Sequence, residues 1–403
     1  MRKKISVKDL KLGMYIHEMC GSWMDHPFMR SRFLLELEKD LKSLRASAVR
    51  EVWIDVEKGI DVPKEVVYSS EADEAKRVGN ALSGAAEQKT RSATRTASEE
   101  MAYATKIKEK SRAAMMEMFE DVRMGNAVRL EEASSLVDEI NGSLERNSDA
   151  LLSVLRLKTA DDYTYMHSVA VCALMVSLGR ALGLPDDLLK EAGMAGLLHD
   201  VGKAFIPAEV LNKPGRLTDA EFDIMKRHPV SGWEALVKVY PADSMAVDVC
   251  RHHHERTDGK GYPDGLSGAA ISLYAKMGAV CDVYDAITSN RCYKPGWPPA
   301  ESVRKMAEWQ PGHFDETVFK AFVKTVGIYP VGTVLKMKSG RLALVSGQRA
   351  QSLLQPSLIA FFSWRASERI PPESFALKDP KDIMGIEDPA AWGFDQEWLL
   401  SLV

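Results

Sequence analysis

The chain is poor in cysteine, and the five it has, Cys20, Cys172, Cys250, Cys281 and Cys292, are scattered, odd in number and without a CxxC pair. That excludes a disulfide framework and a zinc knuckle, and it fits a reducing compartment. Surplus charge is also missing. With 53 basic and 57 acidic residues the net charge is −4, so bulk electrostatics give no reason to bind a nucleic acid polymer or an anionic membrane. An anionic ligand must therefore be held by a local site. The basic start Arg2-Lys3-Lys4 is not followed by the apolar core of a signal peptide. The most apolar run, Val169 to Leu178, is too short to span a bilayer. A cytoplasmic protein without a membrane partner is expected, and no internal repeat of solenoid period is visible.

At 403 residues the chain is long for one compact core. Residues 1–68 read as a small α+β module: Leu10, Leu12, Met14 and Ile16 alternate at one end, Val52, Ile54 and Val56 at the other, and Leu34, Leu37, Leu41 and Leu44 mark a helical face between them. Trp23, Pro27 and Phe28 lie in its first loop. Residues 69–110 are rich in small and charged types and predict a linker or loosely packed helix. Residues 111–335 read as a helical domain, with helical stripes dominating to about residue 327. After Gly327 the pattern changes and runs into the extension 336–403: Val334 to Met337 and Leu342 to Val345 predict a β-hairpin, Leu358 to Trp364 a further strand, and the tail from Pro371 an irregular segment with Trp392 and Trp398 docked. The expected fold is mainly α, with an α+β module in front and a short β-containing extension behind.

The densest chemistry lies in Arg251 to Gly265, RHHHERTDGKGYPDG, with three consecutive histidines beside a glycine-rich turn. Elsewhere, His167 shares a helical face with Val171, Leu174 and Leu178; Leu188, Ala192 and Ala195 lead to His199-Asp200; and His228 follows a helix opened by the capping-box pair Thr218 and Glu221. Ala275 and Gly278 share a face with Asp282 and Asp285. Five helices thus each offer a residue able to bind a metal. Two cations about 3.5 to 4 Å apart need six or more ligands and a bridging carboxylate, and the chain supplies them: His167, His199, Asp200 and Asp282 for one, Asp200, His228, His253 and His254 for the other. Imidazole and carboxylate without thiolate favour two divalent transition-metal ions, iron or manganese first, with nickel, cobalt or zinc behind.

His199-Asp200-Val201-Gly202-Lys203, Lys226-Arg227-His228-Pro229, HHERTDGKGYP from His253 to Pro263, and Cys281 to Ala286 running on to Arg291-Cys292-Tyr293-Lys294 resemble the HD-GYP domain in order and spacing. That domain is a branch of the HD superfamily of metal-dependent phosphohydrolases. The resemblance covers about residues 125 to 335 and implies an HD-type helical bundle that hydrolyses cyclic di-GMP to pGpG or GMP by a metal-bridging hydroxide. The N-terminal module, with Leu12-Gly13-Met14 and Trp23 to Phe28, resembles a domain of unknown function often found before HD-GYP domains.

The resemblance implies catalytic roles for Asp200 and Lys203, with Lys203 supplying positive charge to the phosphodiester. Arg291, Lys294 and Tyr262 are expected at the substrate. Glu255, Asp258 and Asp285 are expected behind the ligands, although an aspartate on a helix reads equally as a solvated group. His252 precedes the matching motif and reads as solvent-facing or packed on a neighbouring helix. The GYP loop is a candidate docking surface for a diguanylate cyclase domain, and a homodimer is a further expectation. Some family members hold a third metal with a glutamate one turn before the first histidine; Tyr163 stands there, which favours two ions. The alternatives are hydrolysis of another cyclic dinucleotide and a receptor or adaptor of weak activity.

Overall fold

The computed structural model describes residues 2–20, 32–47, 49–63, 66–86, 97–156, 163–213, 215, 217–289, 296–349 and 353–403. The loop residues Trp23, Pro27 and Phe28, together with Arg291 and Lys294, lie outside the described residues. The chain divides into two units, residues 1–83 with 307–311, and residues 84–306 with 312–403.

In the first unit, β1 (Arg2–Ser6), β2 (Tyr15–Met19), β3 (Phe33–Leu34), β4 (Glu51–Asp55) and β5 (Ser69–Ser70) form an antiparallel sheet in the order β3-β2-β4-β1-β5. Helix α1 (Glu38–Ala46) covers it, and Ile5, Leu10, Met14, Ile16, Leu41, Leu44, Val52 and Ile54 form one buried cluster. The leucine stripe is shorter than its spacing suggests. Only Leu41 and Leu44 face inward from α1, because Leu34 belongs to β3 and Leu37 is the residue at which the helix starts. Leu12 is 40% exposed, since a turn interrupts the alternation before β2.

Helix α2 (Glu71–Ala86) and the first half of α3 (Ala97–Arg123) occupy the segment with linker composition. Helix α3 is packed from its first turns. Ala104 and Ile107 are buried, and the fully buried Glu100 is met by Arg146 Nη2 at 2.7 Å and Ser143 Oγ at 2.9 Å on α4 (Leu130–Arg156). A pairing of charge on a buried face hides such a helix from a count of apolar residues.

The helical body continues with α5 (Tyr163–Leu182), α6 (Asp186–Leu198), α7 (Ala208–Leu211), α8 (Asp219–Met225), α9 (His228–Leu236), α10 (Met245–His252), α11 (Leu273–Thr288), α12 (Pro299–His313) and α13 (Glu316–Val326). Helix α5 extends well beyond its most apolar run. Over Thr164–Leu182 it is long and apolar enough to cross a membrane, yet 78% of that window is buried by the protein, as in a central core helix. The capping box forms: Thr218 Oγ1 accepts from the Glu221 amide, and Glu221 accepts from the Thr218 amide. Pro229 sits in the first turn of α9, where no amide hydrogen is needed, so it marks the start of that helix after α8 has ended.

Strands β6 (Val334–Met337), β7 (Arg341–Gly347), β8 (Ser357–Ser363), β9 (Glu368–Ala376) and β10 (Ile383–Glu387) form a second antiparallel sheet, ordered β10-β6-β7-β8-β9, before the short α14 (Gln396–Leu400). The expected hairpin is β6-β7. The segment from Pro371 is not irregular: it completes β9 and then forms β10. Among the described residues β9 pairs only with β8, and it is mostly exposed, so it carries no alternation and tolerates Pro371 and Pro372.

Candidate metal centre

The ligand-type residues arrive mostly at helix ends. His199 is the C-terminal cap of α6, Asp200 opens the 3-10 turn Val201–Phe205, His228 is the first residue of α9, and His253 caps α10. His167 and Asp282 come from within α5 and α11. Gly202 explains one close approach. A Cβ there would lie 1.9 Å from the carbonyl oxygen of His228, so only glycine lets the turn bearing Asp200 rest against the start of α9. Gly261 does the same for the GYP loop, where a Cβ would meet Glu255 Cα at 2.4 Å.

Backbone carbonyls set the histidine tautomers. Nδ1 of His199 lies 2.8 Å from the Gly196 carbonyl, Nδ1 of His228 2.8 Å from that of Met225, and Nδ1 of His253 3.0 Å from that of Val249. A carbonyl can only accept, so each Nδ1 carries the proton and each Nε2 presents a lone pair inward. His167 is oriented by a carboxylate: Nδ1 lies 2.7 Å from Asp285 Oδ2, and Nε2 lies 2.9 Å from Asp282 Oδ1.

Asp200 lies at the middle. Its Oδ1 is 3.2 Å from His228 Nε2 and 3.8 Å from His253 Nε2, while its Oδ2 is 3.5 Å from His167 Nε2 and 3.4 Å from His199 Nε2. Lys203 Nζ donates to the same Oδ2. His254 Nδ1 is 3.6 Å from Asp282 Oδ2. Three overlapping donor groups result: His228, His253 and His254; His167, His199 and Asp282; and His199, Asp200 and His253.

Burial and neighbouring charge favour the cation-binding forms of Asp200, Asp282, His253 and His254. Burial alone would raise the Asp200 carboxyl, but the Lys203 cation and the surrounding histidines hold it well below the usual carboxylate range. Asp282 is likewise held low against its burial, chiefly by the hydrogen bond to His167. Burial and the other imidazoles push His253 well down, and burial pushes His254 down to about 3. His167 moves up: its burial is outweighed by hydrogen bonds to Asp282 and Asp285. His199 Nε2 and Asp200 Oδ1 are buried without a well-formed hydrogen bond. Buried polar atoms left so are costly, and neutral imidazoles with ionised carboxylates are the donors a divalent cation takes. The residues therefore fit divalent metal ions.

Around this cluster, Tyr262 stacks on His254, with ring centroids 4.7 Å apart and planes at 26°. Glu255 is 2% exposed and accepts from the amides of Asp264 at 2.7 Å and Gly265 at 3.0 Å, so it braces the loop. Asp258 pairs with Arg256 at 3.1 Å and accepts from the Lys260 amide at 3.1 Å. His252 packs sideways, between Asp248 at 2.8 Å and Asp264 at 3.1 Å. No motif in the sequence marks His313. It is buried at the end of α12, where its carbonyl and that of Gly312 receive the amides of Thr257 and Asp258. Burial pushes its imidazole down to about 3.

Residues 2–133 match the domain of unknown function DUF3391, and residues 144–318 match the HD domain. The chain is 51% identical to the cyclic di-GMP phosphodiesterase PA4108 of Pseudomonas aeruginosa, over 99% of this chain and 96% of that protein. It is 35% identical to the 3'3'-cGAMP-specific phosphodiesterase 1 of Vibrio cholerae, over 45% of this chain and 42% of that one. Among solved structures it is similar to Bd1817, an HDGYP-type protein of Bdellovibrio bacteriovorus, at 18% identity and a TM-score of 0.46, covering 80% of this chain and 98% of that chain. With a relative matched along almost its full length, and the His-Asp pair and GYP loop drawn to one buried cluster, this chain belongs to the HD-GYP family of HD-domain phosphohydrolases.

Proposed function

We propose that this chain is a cytoplasmic phosphodiesterase that hydrolyses cyclic di-GMP with two divalent ions, iron or manganese by preference. The observation that carries the reading is the convergence of buried imidazole nitrogens on the two oxygens of Asp200, in a chain 51% identical to a named cyclic di-GMP phosphodiesterase. His167, His199 and Asp282 would hold one ion, His228, His253 and His254 the other, with Asp200 shared between them. Bound there, divalent ions supply Lewis acidity at a phosphoryl oxygen and a water acidic enough to act as nucleophile at neutral pH.

The chain's own residues do the rest. Lys203, held on Asp200 and only 18% exposed, keeps a positive charge where a phosphodiester gains negative charge in the transition state. Asp285 fixes the ring of His167 through Nδ1, leaving Nε2 to face the centre. Glu255 and Asp258 hold the loop that places Tyr262 beside the cluster, where its ring can meet a guanine. Arg291 and Lys294 follow α11 and are assigned to the phosphate and guanine edges, Arg being suited to bidentate contacts. A diguanylate cyclase domain at the GYP loop and a homodimer complete the proposal, with residues 1–68 as the regulatory module.

The similarity to a cGAMP-specific enzyme supports a second reading, with another cyclic dinucleotide as substrate. Chromatography of products from cyclic di-GMP and 3'3'-cGAMP, each at limiting enzyme, separates the two. Faster release of pGpG or GMP from cyclic di-GMP supports the first; preferential loss of cGAMP overturns it.

A further inference from the structure

The GYP loop is held from both sides. On its inner side the bonds are to backbone: Glu255 accepts the amides of Asp264 and Gly265, and the Tyr262 amide donates to the His254 carbonyl at 3.2 Å. On its outer side the Asp264 side chain is an attachment point. Asp264 receives a bidentate pair from Arg251, Nε to Oδ2 at 2.8 Å and Nη2 to Oδ1 at 2.9 Å, and His252 Nε2 lies 3.1 Å from the same Oδ2.

Those partners lead to the other elements of the centre. The Arg251 guanidinium lies over the ring of Trp233 on α9, 4.6 Å from its centroid, and α9 begins at His228. The second ring nitrogen of His252 is 2.8 Å from Asp248 Oδ1, and Asp248 accepts from Ser272, the N-terminal cap of α11, which carries Asp282. One carboxylate is thus joined to the helices that present His228, His253, His254 and Asp282. Two residues before it, Tyr262 lies on His254.

We infer that Asp264, clamped by Arg251 and His252, is a positioning residue for the GYP loop: it holds Tyr262 against His254 and so sets the geometry of the His228–His253–His254 half of the centre. The inference rests on the reading of His254 as a metal ligand. Bidentate guanidinium–carboxylate pairing fixes orientation as well as distance, and partners behind a ligand commonly tune metal affinity about 10- to 100-fold. Asp264→Ala removes this attachment while leaving the inner backbone bonds in place.

The test is a Mn2+ titration of the metal-stripped full chain by calorimetry, with circular dichroism confirming the fold of each variant. Asp264→Ala and Arg251→Gln are expected to weaken one binding step at least tenfold and to leave the other at the wild-type value. Arg251→Lys, which keeps a cation opposite Asp264 but loses the bidentate fork, is expected to recover only part of the loss. A uniform weakening of both steps, or folded variants that bind like wild type, would overturn the clamp. Should Asp264→Ala fail to fold, the pair Arg251→Gln and Arg251→Lys decides by the same readout. A wild-type chain that takes up no Mn2+ overturns the metal reading itself, which separates that failure from a failure of the clamp.

Discussion

Asp285 Oδ2 lies 2.7 Å from His167 Nδ1, in a site where both residues are almost fully buried. The carboxylate orients the ring and raises its basicity, with Nε2 turned to the cluster. Asp285→Ala should lower metal affinity about 10- to 100-fold while the fold persists. Equilibrium dialysis against Mn2+ checks this, and wild-type affinity in the variant would show that Asp285 is only a helix aspartate.

Lys203 is expected to act on the reaction more than on binding of the substrate. Lys203→Met should lower kcat by about 10² to 10³, the range found on removing one group that stabilises transition-state charge, with a smaller change in KM. It should also free the Asp200 carboxyl to rise, since the Lys203 cation is the chief influence holding it down against burial. A raised KM with kcat unchanged would instead assign Lys203 to ground-state binding.

Gly202 is a steric requirement that the motif alone does not explain. A Cβ there would sit inside contact distance of both the His228 carbonyl oxygen and the Gly232 amide nitrogen, at 1.9 and 2.5 Å. Neither backbone group can move without shifting α9. Gly202→Ala should therefore cost about 3 kcal/mol, at the upper end for overpacking, read as a lower urea midpoint. An unchanged midpoint would show that the turn can leave α9 without loss.

What could be read along the chain and what could not divide on physical grounds. His199-Asp200, His253-His254 and the GYP turn are contiguous, so their chemistry is visible in order, and His167 and Asp282 are placed by helical spacing. His313 reaches the site through the end of a distant helix, and Arg251 meets Asp264 only because the loop folds back over Gly261. β9 is an edge strand whose exposure removes any pattern, and α3 hides its packing behind the buried Glu100.

The metal-free chain should lose stability as pH falls below about 6.5. Burial holds His254 and His313 at about 3 in the folded state, against 6.5 when exposed. Between those values the unfolded chain takes up protons that the folded chain does not, so stability is full above 6.5 and declines towards 3. His167 and His252 act with the opposite sign: their folded values are raised, so their contribution is present below 6.5 and lost as pH rises through the raised values. Urea unfolding from pH 7 to 4.5 should show the decline, and His313→Gln should make it shallower. A flat profile over that range would contradict neutral buried imidazoles.

The central claim is a metal-dependent phosphodiesterase built on Asp200, and it is tested most directly by counting ions and turnover in the same samples. Wild type and the double variant His199→Ala, Asp200→Ala would be stripped, reconstituted with Mn2+ or Fe2+, desalted, assayed for metal content and incubated with cyclic di-GMP. The account predicts two ions per wild-type chain with release of pGpG or GMP, and loss of both metal and turnover in a folded variant. Turnover that persists in the metal-depleted variant, or a metal-loaded wild type that binds cyclic di-GMP without cleaving it, would contradict it.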